Sequence, residues 1–201
     1  MQIYKLSGND NLPECAGKTK SDEEALSWFH PLLGKPLPSI SEWVPTTLVP
    51  SSSEASKNKN WTYSSMLTST PLFFLSSSSV ELLNPFLNGQ IDLYPVTFED
   101  DLSQKYFMLK VNNELPAESL DREHSIGDPV KYGPKANLGL LSPIYNWKFR
   151  EELVKGHDIF TLPDSNTTIY VSSRFKDAVL ESGLTGFCFK HEYIDENPIL
   201  T

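Results

Sequence analysis

Asp121, Glu123, His124 and Ser125 put two carboxylates, an imidazole and a hydroxyl within five residues. Groups of these types perform general acid–base catalysis when they converge on one substrate with shifted pKa values. Neighbours along an extended chain point to opposite faces, so the spacing alone gives no convergence. A solvated turn with a helix cap is the reading these residues favour. The four histidines, His30, His124, His157 and His191, stand far apart, and neither HExxH nor an EF-hand pattern occurs. The ten glycines are scattered, without GxxxxGK[ST] or GxSxG. The sequence therefore predicts no catalytic residue, no cofactor and no metal ligand.

Binding chemistry is better represented. The chain carries 26 acidic against 17 basic residues, a net charge of −9 spread over both halves. Such a field opposes nucleic-acid binding and speeds encounter with a basic partner. Glu99, Asp100 and Asp101 fall between two strand-like runs, and with Asp121 and Glu123 they are the candidate partner-binding residues. A solvated loop face is the plainer reading of the same triplet. Lys148, Arg150, Lys155, Arg174 and Lys176 form a basic scatter beside Trp147 and Phe149, too thin in so acidic a chain to predict nucleic-acid contact.

The elements that position these groups are legible in pieces. Residues 2–6 suit a short first strand. Ser21-Asp22-Glu23-Glu24 resembles a capping box, with a short helix through Ala25, Leu26, Trp28 and Phe29 that Pro31 limits. Residues 34–65 read as an irregular proline- and serine-rich arm anchored by Trp43, Val44, Leu48 and Trp61. A buried-type run at Pro71–Leu75 leads into four serines, one of which caps a helix carrying Val80, Leu82, Leu83, Phe86 and Leu87. Asn88-Gly89 ends it. Ile91–Tyr94 and Tyr106–Val111 read as strands. Gly127–Gly139 reads as a turn-rich insertion, and Lys148–Leu153 as either a strand end or a helical turn. Thr167–Val171 is β-branched and aromatic, as a strand requires. Ser172 or Ser173 can cap the helix that follows, and Phe175, Ala178 and Val179 form its apolar face. Gly183 suits a left-handed stop with Leu184 folding back on Val179, and Phe187-Cys188-Phe189 restarts a strand. No internal repeat of 20–50 residues is visible.

Length and an apolar fraction of 39% fit one domain over residues 1–201. The expected class is α+β: a mixed, mainly antiparallel sheet with short packed helices and a C-terminal strand–helix–strand unit. That unit permits one parallel pair with a right-handed crossover if its strands share a sheet. Cys15 and Cys188 show no metal or redox spacing and suit ordinary thiols in a reducing compartment, with a lone long-range disulfide as the less favoured alternative. No apolar run approaches the ~20 residues that cross a bilayer, and the N-terminus turns polar too early for a signal peptide. A cytoplasmic protein without membrane contact is the expectation.

Ile169-Tyr170-Val171-Ser172-Ser173-Arg174-Phe175-Lys176 through Gly183-Leu184-Thr185-Gly186-Phe187 resembles the C-terminal signature of a family of immunity proteins from bacterial polymorphic toxin systems. Asp158-Ile159-Phe160-Thr161-Leu162-Pro163 looks like that family's approach to the signature. The serine-capped helix, the two strands after it and the polar turn at Asp121 and Ser125 look like its central pieces. The likeness extends over residues 70–190. The insertion at Gly127–Gly139 and the serine-rich stretch 51–65 depart from it. The resemblance implies a cytoplasmic, non-enzymatic protein that binds and neutralises a cognate toxin, and it implies no catalytic residues. Many toxins that attack nucleic acids are basic, which would suit the acidic residues named above. Two other readings remain open. An enzyme acting on a small molecule or reversing a toxin's modification needs a pocket around His124 or His157. A structural module needs a large bare apolar face.

Overall fold

The computed structural model describes residues 2–27, 38–53, 59–131, 136, 138–191 and 199–200. Trp28, Phe29, Pro31 and parts of the proline/serine arm and of the Gly127–Gly139 insertion lie outside them.

The C-terminal unit follows its sequence closely. Strand β11 (Ser165–Ser172) ends in Ser172, whose Oγ accepts the Phe175 N–H at 3.2 Å and so caps helix α4 (Ser173–Glu181). Phe175 and Val179 are buried on its inner face. The helix closes in a Schellman motif: Gly183 N–H bonds the Leu180 carbonyl, and Leu184 N–H bonds the Val179 carbonyl, both at 3.2 Å. Gly183, at φ 63°, takes the left-handed position this ending needs. Strand β12 (Phe187–Lys190) follows.

An earlier segment repeats this plan. Strands β4 (Met66–Ser69) and β5 (Leu72–Ser76) form a hairpin. Ser76 then caps helix α2 (Ser77–Leu87), accepting Ser79 N–H at 3.2 Å. Gly89, at φ 74°, turns the chain into β6 (Ile91–Phe98), and β7 (Tyr106–Val111) returns beside it.

Among the described residues two large sheets result, beside one two-stranded ribbon, where one sheet was expected. The first holds β10 (Ile159–Leu162), β11, β1 (Ile3–Gly8), β12 and β13 (Ile199–Leu200) in that order. The second runs β2 (Cys15–Gly17), β3 (Thr46–Pro50), β6, β7, β5, β4. β11 and β12 do share a sheet, but they are not a pair: β1 lies antiparallel between them. β7 likewise separates β5 from β6. The parallel pair is β3 with β6, so the stretch 34–65 supplies an inner strand of the second sheet. Trp43 anchors it by donating Nε1–H to the Pro95 carbonyl at 2.8 Å, whereas Val44 is 79% exposed.

Helix α1 (Lys20–Ser27) starts two residues earlier than a cap at Ser21 would give. Thr19 Oγ1 accepts Asp22 N–H at 3.2 Å, and the Asp22 carboxylate accepts Thr19 N–H at 2.9 Å. The reciprocal cap is therefore Thr19 with Asp22 rather than Ser21 with Glu24, because Asp22 also takes the Thr47 N–H at 3.0 Å. β8 (Ile126–Pro129) and β9 (Leu141–Asn146) make a two-stranded ribbon in place of a bare insertion. The ambiguous stretch at 148–153 is both of its alternatives: Phe149 bridges Leu120, and α3 (Glu151–Val154) follows.

Strand alternation sorts the side chains into three cores. Tyr4, Leu6, Phe73, Leu75, Val171 and Phe187 meet Leu83 of α2 and Phe175 and Val179 of α4 in a core shared by both sheets. Phe74, Leu48, Val96 and Met108 face the other way, toward Leu26 and Trp43. Ile3, Phe160, Leu162 and Tyr170 pack under Leu120, Ile144 and Trp147. A fully buried side chain such as Phe175 contributes about 2–3 kcal/mol.

Candidate partner-binding surfaces

The turn that joins β6 to β7 carries Glu99, Asp100 and Asp101. Each carboxylate has an internal partner. Glu99 pairs with Lys18 at 2.7 Å, both about half exposed, a surface pair of at most about 1 kcal/mol. Asp100 accepts the Tyr63 hydroxyl at 2.5 Å. Asp101 Oδ1 takes the hydroxyl and the N–H of Ser103 at 2.6 and 3.0 Å, and Oδ2 takes Gln104 Nε2 at 3.0 Å. The Ser103 hydroxyl, then Gln104, hold Asp101 below its ordinary pKa. Burial, then Asp100, push the Tyr63 phenol up to about 12.

Beneath the turn, Tyr63 packs edge-on against Phe98, with ring centroids 5.2 Å apart, and Phe98 against Tyr106 at 5.3 Å. This aromatic base fixes the turn on the sheet. At its crown Leu102 is 80% exposed. The arrangement is an exposed leucine directly after three carboxylates, of which Asp100 is held from the aromatic base by Tyr63, Glu99 by Lys18, and Asp101 within the turn itself. Sequence reasoning found the carboxylates and missed Leu102 and Tyr63. A lone leucine directly after an acidic triplet was the signal for the first. Nothing local signals the second, since Tyr63 and Asp100 are 37 residues apart.

Asp121 and Glu123 lie elsewhere. β7's six residues, roughly 20 Å at about 3.3 Å each, separate the acidic turn from the chain that leads on to Asp121. Asp121 Oδ2 meets His124 Nδ1 at 2.8 Å, and its Oδ1 accepts the Glu123 N–H at 3.2 Å. The His124 contact is the main reason its pKa is lowered. Ser125 Oγ accepts the Lys148 N–H at 2.9 Å, and Asp121 N–H bonds the Lys148 carbonyl at 2.8 Å. The constellation of acid, imidazole and hydroxyl is thus a stitched turn, with Glu123 exposed at its outer side. The five carboxylates form two groups, and no hydrogen bond or ion pair joins them among the described residues.

Between Asp121 and Glu123 sits a residue with a different task. Arg122 makes a bidentate pair with Asp164, at 2.7 and 3.0 Å, and Asp164 also accepts the Leu141 N–H at 2.7 Å. The Asp164 side chain is fully buried. This clasp ties the 117–122 segment and the ribbon to the β10–β11 turn. The Leu184-Thr185-Gly186 string is a second clasp. Thr185 O accepts Met66 N–H at 2.9 Å, its hydroxyl accepts Ser65 N–H at 3.2 Å, and Gly186 O accepts Asn9 N–H at 3.0 Å.

The open β1–β11 cleft, and those at Trp147 and at Ser142, are lined by neither His124 nor His157. His157 Nδ1 instead meets Asn113 Nδ2 at 3.2 Å. Among the described residues no three His, Cys, Asp or Glu side chains gather to hold a metal ion. Cys15 and Cys188 are buried and form no disulfide. No described helix is long and apolar enough to cross a membrane.

No curated protein matches the chain. Residues 98–193, which include the acidic turn, the Arg122–Asp164 clasp and the whole β11–α4–β12 unit, match the model of an immunity protein family, Imm11, and the resemblance to an immunity-protein family is borne out.

Proposed function

We propose that this protein neutralises a cognate toxin of an interbacterial competition system by binding it in the cytoplasm and occluding it, without chemistry of its own. The observation that carries this reading is the immunity-family match over residues 98–193. The acidic turn gives it a physical form. Glu99, Asp100 and Asp101 would steer a basic toxin domain, and Leu102 would supply the apolar anchor that such interfaces place inside a charged rim. Asp121 and Glu123 form a second, outlying contact region.

Co-expression with the protein encoded beside it tests the function. Loss of the neighbour's toxicity together with a stable complex is the expected result; rescue without a complex would favour the enzymatic alternative. The surface has its own test. Reversing Glu99, Asp100 and Asp101 to lysine should slow association at least tenfold, most at low salt. Leu102→Ala should act on dissociation instead. Unchanged kinetics and protection in both variants would remove the acidic turn from the interface.

A further inference from the structure

The ladder between β1 and β11 stops early. The strands pair through Ile3↔Ser172, Tyr4↔Val171 and Lys5↔Tyr170, although β1 continues to Gly8 and β11 begins at Ser165. Continued, the register would set Leu6, Ser7 and Gly8 against Ile169, Thr168 and Thr167. Instead the strands part, and a cleft of about 370 Å³ opens between them.

The opening is held in place from three sides. β1 stays paired with β12 through Leu6↔Phe189, Ser7↔Cys188 and Gly8↔Phe187, so it cannot follow β11. Gly8 lies against β4, where an added Cβ would meet Thr68 Cγ2 at 2.5 Å. On the rim, the Thr70 hydroxyl bonds the Glu14 carboxylate.

The cleft lacks strand partners and offers a cation at Lys59. Backbone polar groups of an antiparallel strand alternate between its two neighbours. The Gln2 carbonyl accepts Ser173 N–H on the β11 side, and Asn9 N–H goes to Gly186 on the β12 side. Gly8, in phase with Gln2, therefore turns its peptide groups toward β11, where it has no ladder partner. Among the described residues Ser7 Oγ is buried without a hydrogen-bond partner, a condition that native structures usually relieve with water or a ligand. Lys59 uses one of its three N–H donors on the Leu12 carbonyl at 3.3 Å. Of the two lining acids, Glu14 is engaged by Thr70, and Asp10 faces Lys190 at 3.9 Å. Leu12, Pro71 and Leu72 add an apolar wall.

We propose that this cleft receives the C-terminal end of an extended peptide. Its backbone pairs with Gly8, its last side chain lies on the apolar wall, and its terminal carboxylate sits at Lys59. The volume is that of a small-ligand site and holds roughly two or three residues. Strand addition combined with carboxylate capture is an established way to bind chain ends. The proposal rests on strand geometry and does not depend on the immunity reading, which stands or falls by rescue.

Acetyl-Gly-Leu-Val with a free carboxylate is the probe, titrated into the ¹⁵N-labelled full chain beside the same peptide as its C-terminal amide. Saturable shifts centred on Ser7, Gly8, Thr167 and Thr168 are expected, with the amide at least tenfold weaker. Lys59→Ala should weaken the acid about tenfold and leave the amide unchanged. Thr168→Trp should block both peptides, and Lys59→Ala decides the matter if that variant does not fold. Equal affinity of acid and amide, shifts centred elsewhere, or no saturable binding at millimolar peptide would overturn the proposal, the last leaving a water-filled opening.

Discussion

In β5–α2–β6 and again in β11–α4–β12, an apolar strand runs into a serine that caps a helix. A glycine with positive φ follows, and a second strand lies parallel to the first with one antiparallel strand between. The helices even bury the same positions: Leu83 and Val179 are each seventh after their caps, and Ser79 and Phe175 each third. The inserted strands differ in origin. β7 follows β6 directly, whereas β1 comes from the far end of the chain. No sequence repeat accompanies this shared plan. The same local rules, a β-branched or aromatic run, a capping hydroxyl and a left-handed stop, suffice to build it twice.

The fastening is where the two units part. Ser172 is wholly buried and donates its hydroxyl to Asp158 Oδ1 at 2.5 Å while capping its helix. Ser76 shares its hydroxyl only with Ser78 and Ser79, each at 2.9 Å, besides its cap. The two helix stops, Gly89 and Gly183, would each carry a Cβ into open space, but Gly186, which follows in the second unit alone, is pressed against β4. Both units have longer-range bonds, since Ser79 donates its hydroxyl to the Ser65 carbonyl at 2.8 Å and Ser77 its N–H to the Lys105 carbonyl at 3.0 Å. What sets the second apart is the Ser172 bond to a carboxylate and the close approach of Gly186 to β4.

The sharpest way to break this comparison is to add one methyl to each glycine. At Gly186, φ is 92° and a Cβ would stand 2.0 Å from the Met66 carbonyl oxygen, so Gly186→Ala should cost upwards of about 4 kcal/mol or prevent folding. Gly89→Ala meets only the left-handed penalty, about 1–2 kcal/mol. Equal denaturation midpoints for the two variants would erase the distinction.

Arg122→Ala comes next, because it leaves the Asp164 carboxylate buried without its partner. A loss of about 3–5 kcal/mol is expected, read from urea denaturation, and a loss under 1 kcal/mol would mean the clasp is ornamental. The cap pair follows. Ser172→Ala should cost about 2–3 kcal/mol, the cap plus a charge-assisted hydrogen bond, against about 1 kcal/mol for Ser76→Ala.

The smallest effect concerns pH. Burial and Asp100 raise the Tyr63 phenol from 10.0 to about 12. The folded chain therefore holds this proton more tightly than the unfolded chain. That contribution is complete below pH 10 and disappears as pH rises through 12. Asp100→Asn should return the Tyr63 midpoint toward 10.0, followed by its ring ¹³C resonance; an unmoved midpoint would leave burial as the sole cause.

Much of the fold was legible. β7 is the run Tyr106–Val111 as read, and both serine caps and the Gly183 ending stand where composition puts them. The helix at Lys20 began earlier than expected, because Asp22 is drawn to Thr19 and Thr47, a contact across 25 residues. The stretch at Thr46–Pro50 looked irregular for a related reason. Its prolines hide a strand that exists because β2 and β6 lie on either side. The candidate residues were legible as charges, and their division into two groups was not, since β7 sets that separation.

By itself, the sequence determined the local units: which runs extend, which serines cap, where glycine stops a helix, and that the chain is acidic and rich enough in apolar residues to bury cores. Those properties depend on neighbours within a few residues, where propensity and capping act. Only the tertiary structure decided that β1 splits β11 from β12, that Gly186 abuts Met66, that Arg122 clasps the buried Asp164 while Glu123 beside it faces outward, and that β1 and β11 part into a cleft. Each depends on which distant strands share a sheet, and strand pairing is a contest among long-range partners that no local spacing records.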